Sequence, residues 1–363
     1  MFGIITHIIL ILIAVIAILT LLFLSFYPSI GELPDKENAA QYASMTPLYY
    51  DNKFHNENEI SVMTGKQGSK SDRRTPATMI KAERPTYNEH AGAGALTFTW
   101  FGHSSSMVQL GNKNILIDPV FGKYSSPVSF TGVKRFSECP VTADALPPID
   151  VLFISHDHYD HLDYGTIKLI NEKTGHYIVP LGVDVILESF GVSADKITAL
   201  NWWEDIRIEG ITYTLIPTQH FTGRNPLKGN RTLWGGLFMQ DNAHSVYYTG
   251  DSGYCDVFGR VRDKLGAVDL IIAEDGQYDN AWASIHMMPE ETVQAAIDIN
   301  AAWLIPVHWG AFVLSNHSWD DPAIKATNAA KEKGQNIATP RIGQTVNYEN
   351  ISSFTEHWWE SVD

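Results

Sequence analysis

Val151-Leu152-Phe153-Ile154-Ser155-His156-Asp157-His158-Tyr159-Asp160-His161-Leu162-Asp163 is the stretch on which the fold turns. It opens with four apolar residues, the pattern of a short buried strand. It then packs three imidazoles and flanking carboxylates into the run from His156 to His161. Histidine is the commonest metal ligand among side chains, and a catalytic metal needs several ligands converging on one point. While the chain stays extended, His156 and His158 point the same way, because strand side chains alternate with period two. Asp160 and His161 come where the chain turns, so they can face a neighbouring point, and one segment can serve two metals. A polar loop with coincidental histidines would account for a single His. A His-x-His-x-Asp-His run directly behind an apolar strand carries a metal-binding rationale of its own.

Four other positions share this context, a polar residue just after an apolar strand, where ligands are held rigidly. His220 follows Tyr213–Pro217, Asp251 follows Ser245–Gly250, His308 follows Leu304–Val307, and Asp118 follows Ile115–Ile117. Each alone is weak, since Asp after a strand is often a turn-former. Their joint appearance in order around the His-rich run is what carries weight.

Strands are expected at 96–101, 106–110, 114–117, 151–154, 178–179, 211–217, 233–239, 245–249, 268–272 and 303–307. Helices are expected at 164–173, with Asp163 as N-cap, and at 182–190, 254–264, 289–300 and 321–333. Strand-rich halves with interspersed helices suggest an α/β (α+β) fold, with sheets packed face to face and helices outside. Residues 1–27 form the N-terminal segment and 28–94 a polar, irregular linker or arm rich in proline. The main domain spans 95–346, and 347–363 is a C-terminal tail.

Ile8 to Phe26 is nearly unbroken Ile, Leu, Val, Ala and Phe, and about 20 such residues cross a hydrocarbon layer. No Lys or Arg precedes it, and Phe26-Tyr27-Pro28 lacks the small residues of a cleavage site. It reads as an uncleaved, single-pass transmembrane anchor, of undetermined orientation because only Lys36 lies close by. Net charge is −15, with 44% hydrophobic and 18% charged residues. An acidic chain with no Lys/Arg run repels a phosphate backbone, which argues against a nucleic-acid partner. Cys139 and Cys255 offer at most one bridge and no Cys-rich zinc site.

The order of these motifs resembles the metallo-β-lactamase superfamily over roughly Ala95 to Val346. That resemblance implies an αββα sandwich with metals at one edge and an N-terminal transmembrane helix added to it. It implies one metal on His156, His158 and His220 and a second on Asp160, His161 and His308. Asp251 would bridge them, and Asp118 would orient a ligand histidine. Within the superfamily the chain is similar to the N-acylphosphatidylethanolamine-hydrolysing phospholipases D and their bacterial membrane-anchored relatives. The segments concerned are Trp100–Ser105, His158–Tyr164, Gln219–Phe221, Leu233–Gly236, Thr249–Tyr254, His286 with Met288–Glu291, and Val307–Phe312. Two departures stand out: the mammalian enzyme has no N-terminal spanning helix, and it has Gln where this chain has Ile285.

The resemblance implies a binuclear metallohydrolase, a phosphoric diester hydrolase acting on N-acylphosphatidylethanolamine or a related membrane phospholipid. Two divalent ions about 3.5–4 Å apart bring a shared water's pKa toward 7 and so yield a hydroxide nucleophile. The donor set suits zinc, with iron or manganese also compatible. Phosphatidic acid and an N-acylethanolamine would be the products. Asp160, His286 and Tyr164 are the implied catalytic residues, the last two beside the substrate. His103 reads as a supporting residue and Trp202-Trp203 as core packing or a membrane-facing patch. A lactonase resembling the ascorbate-phosphate lactonases, and a non-catalytic metal-binding membrane scaffold, are the alternatives.

Overall fold

Leu270–Glu274 shows why the strands read as unbroken apolar runs. Leu270 and Ile272 join a central cluster, whereas Ile271 and Ala273 join an outer one with the helices. A strand covered on both faces has no polar side to alternate with. The computed structural model describes residues 2–87, 92 and 94–362, with side chains from residue 5. Residues 88–91 and 93 of the expected arm, with Met1 and Asp363, lie outside the described residues.

Two sheets face each other. The first has the order Ile197–Leu200, Thr174–Pro180, Ile149–Phe153, Lys113–Ile117, Ser106–Leu110, Leu96–Trp100 and Thr345–Asn347. The second has the order Asp205–Ile208, Ile211–Ile216, Gly236–Gln240, Ser245–Tyr248, Leu270–Glu274 and Trp303–Val307. Phe98, Val108, Ile115 and Phe153 of the first sheet meet Leu215, Met239, Tyr248 and Ile305 of the second in the central cluster. Helices Tyr164–Ile170 and Val183–Ser189 cover the outer face of the first sheet through Ile167, Ile170, Ile186 and Leu187. Val257–Leu265, Pro289–Asp298 and Asp321–Lys333 cover the other through Phe258, Val261, Val293 and Ala326. These layers are the αββα sandwich. Asp163 caps its helix as expected, accepting from the Gly165 and Thr166 amides.

Several boundaries move. Strands Ile197–Leu200, Asp205–Ile208 and Thr345–Asn347 were not expected; they lie at or near sheet edges, are short, and are only partly buried. The expected helix 164–173 gives way after Ile170 to a 3-10 turn.

Residues 28–94 are more structured than their polarity suggests. They contain a helix, Lys36–Met45, closed by a reciprocal Asp35–Asn38 capping box, and a hairpin, Tyr49–Tyr50 with Lys53–Phe54. Tyr42, Tyr49 and Phe54 pack edge-on or tilted against one another and join the central cluster. The described part of the C-terminal stretch, 347–362, also packs inward: Trp358 and Trp359 are buried, and Trp358 stacks on Trp309 at 5.4 Å. Both segments place aromatic residues in a core cluster whose other members are distant in sequence, so local pattern does not reveal their burial. Trp202 lies in the core with its indole N–H on the Trp234 carbonyl. Cys139 and Cys255 are free.

The N-terminal helix runs Phe2–Phe26. Its Ile5–Phe26 part has a mean hydropathy of 3.3, is not buried against the rest of the chain, and is long and apolar enough to cross a membrane.

Candidate metal centre

Ends of strands from both sheets converge at one edge of the sandwich. Strand Ile149–Phe153 leads into Ser155–His161, strand Ile211–Ile216 into His220, strand Ser245–Tyr248 into Asp251, and strand Trp303–Val307 into His308. The turns are tight. Asp118, His103 and His308 all carry positive φ, at 41°, 54° and 68°, and left-handed backbone at non-glycine residues persists where surrounding structure enforces it. Gly276 is required beside them, because a Cβ there would lie 2.0 Å from the His308 carbonyl oxygen.

Three imidazoles surround one point. His156 Nε2 is 2.9 Å from His158 Nδ1, which is 3.4 Å from His220 Nε2. The tautomer of His220 follows from its partner: Nδ1 donates to the Ile285 carbonyl at 3.0 Å, leaving Nε2 bare. The second group holds Asp160, His161, His308 and His103, with donor atoms within 4.8 Å of one another. Asp251 touches both groups, with Oδ2 3.7 Å from His220 Nε2 and 3.2 Å from His161 Nε2, and Oδ1 3.2 Å from His308 Nδ1. Beneath them Asp118 accepts from the Ser155 amide at 2.7 Å, the Ser155 hydroxyl and Tyr248 hydroxyl at 2.6 Å, and His161 Nδ1 at 2.8 Å. His161 Nε2 is therefore also free to face the cluster.

These residues fit divalent cations. His161 Nε2, Asp251 Oδ1 and His103 Nδ1 are buried without a hydrogen-bond partner, although buried polar atoms are almost always paired. Asp118, Asp160, Asp251 and Glu274 are buried together, yet no Lys or Arg lines the pocket among the described residues. Uncompensated buried charge is costly, so the site calls for positive charge. Burial holds His156, His220 and His308 well below the ordinary imidazole pKa, which keeps them neutral, as metal ligation requires. Burial opposes charging His161 too, but Asp251, Asp160 and Asp118 outweigh it and hold that ring well above its ordinary value.

His286 lines the same pocket. Its Nδ1 lies 2.7 Å from Glu274 Oε2, while Glu274 Oε1 accepts from the Ser252 and Met287 amides. Burial pushes Glu274 up to about 7. Burial resists charging His286, but Glu274 overrides it and lifts the ring to about 9. Glu274 was missed by sequence reasoning, and His103 entered only as a supporting residue. His103 Nε2 lies 2.8 Å from Asp160 Oδ2 inside the second group.

Tyr164 is a correction. It opens the helix Tyr164–Ile170 and packs edge-on against Phe190 at 4.8 Å. It lines a different cavity, at the foot of the N-terminal helix, and not the pocket that holds His286.

The pocket over the histidines has a volume of about 360 Å³. Val62, Met63, Phe221, Trp282, Ile285 and Leu314 supply its apolar walls. Val62 and Met63 come from the arm, which is strapped across this edge. Ser284 donates to the Ser61 carbonyl, the Gly68 amide to Asp279, and the Ser71 amide to the Asn316 carbonyl.

A two-sheet sandwich with a buried histidine–carboxylate floor at its edge defines a metal-dependent hydrolase of the metallo-β-lactamase fold. The profile of the beta-lactamase superfamily domain matches residues 113–309. An uncharacterized protein of Mycobacterium tuberculosis is 34% identical over 86% of this chain and 87% of its own length. The N-acyl-phosphatidylethanolamine-hydrolyzing phospholipase D 1 of Caenorhabditis elegans is 32% identical over 69% of this chain and 73% of its own. Among solved structures, a possible metal-dependent hydrolase from Veillonella parvula superposes with a TM-score of 0.56 at 18% identity, covering 69% of this chain and 99% of that one, a likeness that bears on the fold. The chain belongs to the metallo-β-lactamase superfamily.

Proposed function

We propose that the chain is a phospholipase D-type phosphodiesterase that cleaves N-acylphosphatidylethanolamine or a related phospholipid at the membrane surface. The observation that carries this reading is the shape of the pocket, a polar floor of histidines and carboxylates beneath a rim of apolar side chains. An amphiphilic ester fits such a pocket, its phosphate on the floor and its chains along the rim. The name of the nematode relative supports the same substrate class, and the apolar N-terminal helix supports a bilayer-anchored enzyme.

His156, His158 and His220 would hold one divalent ion and Asp160, His161 and His308 a second, with Asp251 between them; zinc suits this donor set. Such ions acidify water into a nucleophile and neutralise phosphate charge. The chain's own residues do the rest. Asp118 fixes the His161 tautomer through its Nδ1. Glu274 does the same for His286, which lines the pocket, and leaves Nε2 as its other ring nitrogen. Formation of phosphatidic acid requires that the phosphorus–oxygen bond to ethanolamine breaks. The leaving group is then the alkoxide of the N-acylethanolamine, and protonated His286 can donate to it from Nε2.

Product analysis by mass spectrometry tests this. Zinc-loaded, detergent-solubilised protein is given N-acylated and plain phosphatidylethanolamine and a panel of small lactones, with Asp251→Ala as control. Phosphatidic acid that disappears in the variant supports the reading. Lactone opening alone would overturn it.

A further inference from the structure

A second cavity, about 760 Å³ in volume, lies at the foot of the N-terminal helix. Tyr27, Phe121, Tyr124, Val128, Val141 and Leu169 form much of its wall. None of the histidines and carboxylates of the metal centre lines it, and the volume lies in the ~300–1,000 Å³ range of small-molecule sites.

Its position relative to the helix is fixed by hydrogen bonds. Ser29, three residues past the helix, donates its hydroxyl to the Pro127 carbonyl in the loop that forms the outer wall. Arg224 donates from Nε to the Ser29 carbonyl at 2.7 Å, and the Asn225 amide reaches the Leu24 carbonyl at 3.3 Å. The segments bonded to this exit carry exposed large apolar side chains: Phe26 is 77% exposed, Phe130, three residues past Pro127, 74%, Leu227, two past Asn225, 66%, and Leu169 of the cavity wall 64%. Water disfavours such a cluster. A bilayer accepts it, since apolar side chains that ring the end of a span sink into the boundary between headgroups and acyl chains. Tyr27 stands where aromatic residues gather at that boundary.

We propose that this cavity seats an acyl chain of a bilayer phospholipid, apart from the lipid that reacts. The inference rests on Ile5–Phe26 spanning the membrane, as in the reading above. The wall is mainly apolar and so matches a hydrocarbon chain. Lys123 at the rim offers an ammonium to the lipid phosphate. Asp144 and Asp163 also border the cavity; the Asp163 carboxylate is occupied by the Gly122 and Thr166 amides and the Thr166 hydroxyl, and Asp144 is exposed to solvent. An occupant would touch Tyr164, four residues beyond Asp160, so lipid binding would stiffen the segment that follows the metal centre.

The full chain is placed in nanodiscs of palmitoyl-oleoyl phosphatidylethanolamine and phosphatidylglycerol, with a trace of phosphatidylethanolamine bearing a diazirine on one acyl chain. After irradiation, adducts are mapped by peptide mass spectrometry. Adducts are expected on Tyr124–Val128 and Leu169 as well as on the helix. Val128→Trp, which fills the cavity, and Leu169→Ser, which strips its exposed wall, are each expected to lower the cavity adducts about fivefold relative to those on the helix. Adducts on residues 5–26 with none on the cavity wall would overturn the proposal and leave the span intact. Cavity adducts indifferent to both substitutions would overturn it equally. No adducts on residues 5–26 would overturn the spanning helix and this inference with it.

Discussion

Glu274 and His286 are joined by a 2.7 Å hydrogen bond under the pocket floor. The other Glu274 oxygen is held by two backbone amides, so the carboxylate is anchored before it meets the ring. Glu274→Gln keeps the shape and removes the charge that favours protonated His286. We expect kcat to fall about 10–100-fold with KM nearly unchanged, as measured by steady-state kinetics on a phosphodiester substrate. A fall in KM-side binding with kcat intact would show that the pair serves only substrate docking.

Asp118 accepts four hydrogen bonds and is fully buried. Replacing it by Ala strands four donors, and removing one partner of a buried charged network costs about 3–5 kcal/mol. The metal affinity of the centre should fall about 10–100-fold as His161 loses its orientation. Thermal denaturation and metal analysis of the purified variant check both.

Removal of metal should lower both activity and stability, since a cation bound to the folded state alone stabilises it by mass action. Dialysis against a chelator is expected to abolish turnover and lower Tm, with recovery on adding zinc. Asp251→Ala, which removes the carboxylate common to both groups, should retain less metal than the parent at the same free concentration. An unchanged Tm after complete metal loss would contradict this.

Arg224 is 2% exposed, and among the described residues its hydrogen bonds go to backbone carbonyls. It donates to the backbone carbonyls of Ser29, Asp157 and Leu162 and lies over the Tyr159 ring at 4.2 Å. It thereby ties the end of the N-terminal helix to the loop of Asp157–Leu162. Arg224→Lys cannot reproduce a planar fork that reaches three carbonyls. We expect it to cost about 1–3 kcal/mol, with faster proteolytic cleavage near residues 28–35 in a time course.

Burial pushes both thiols, Cys139 and Cys255, above the ordinary cysteine pKa. The thiolate is the reactive form, so a raised pKa means less of it at any given pH. Alkylation of the native protein at pH 8 should be slower than that of a free thiol and should accelerate as pH rises further. Two equivalents should react at once after denaturation. One thiol reacting at the free rate in the native protein would contradict the packing around it.

The strand-end rule carried most of what could be read from sequence. It located Asp118, His220, Asp251 and His308 because rigid strands must end where their apolar runs end. Glu274 obeys the same rule, but the run Val268–Ile272 ends two residues before its strand, Leu270–Glu274, does, so the run does not reach Glu274. His103 also lies just past an apolar strand, Leu96–Trp100, in left-handed backbone bridged to Trp309 and His308. Tyr164 was misplaced because sequence order says nothing about which way a helix turns its first residue. The arm and the C-terminal stretch are illegible for one reason: Tyr42, Tyr49 and Phe54 pack on one another, but they, Trp358 and Trp359 are buried in a cluster whose other members lie far along the chain.

Asn56 pairs with both backbone groups of His220, donating to its carbonyl at 2.8 Å and accepting from its amide at 3.1 Å. A residue of the N-terminal arm thus sets the backbone of a histidine in the metal centre. Anyone seeking a soluble form of this hydrolase can cut the chain after the apolar helix, but a cut at Ala95 would take away a wall of the pocket, a piece of the core and the brace behind His220. The fold around the candidate site thus reaches further toward the N-terminus than residues 113–309, the span by which the superfamily is recognised.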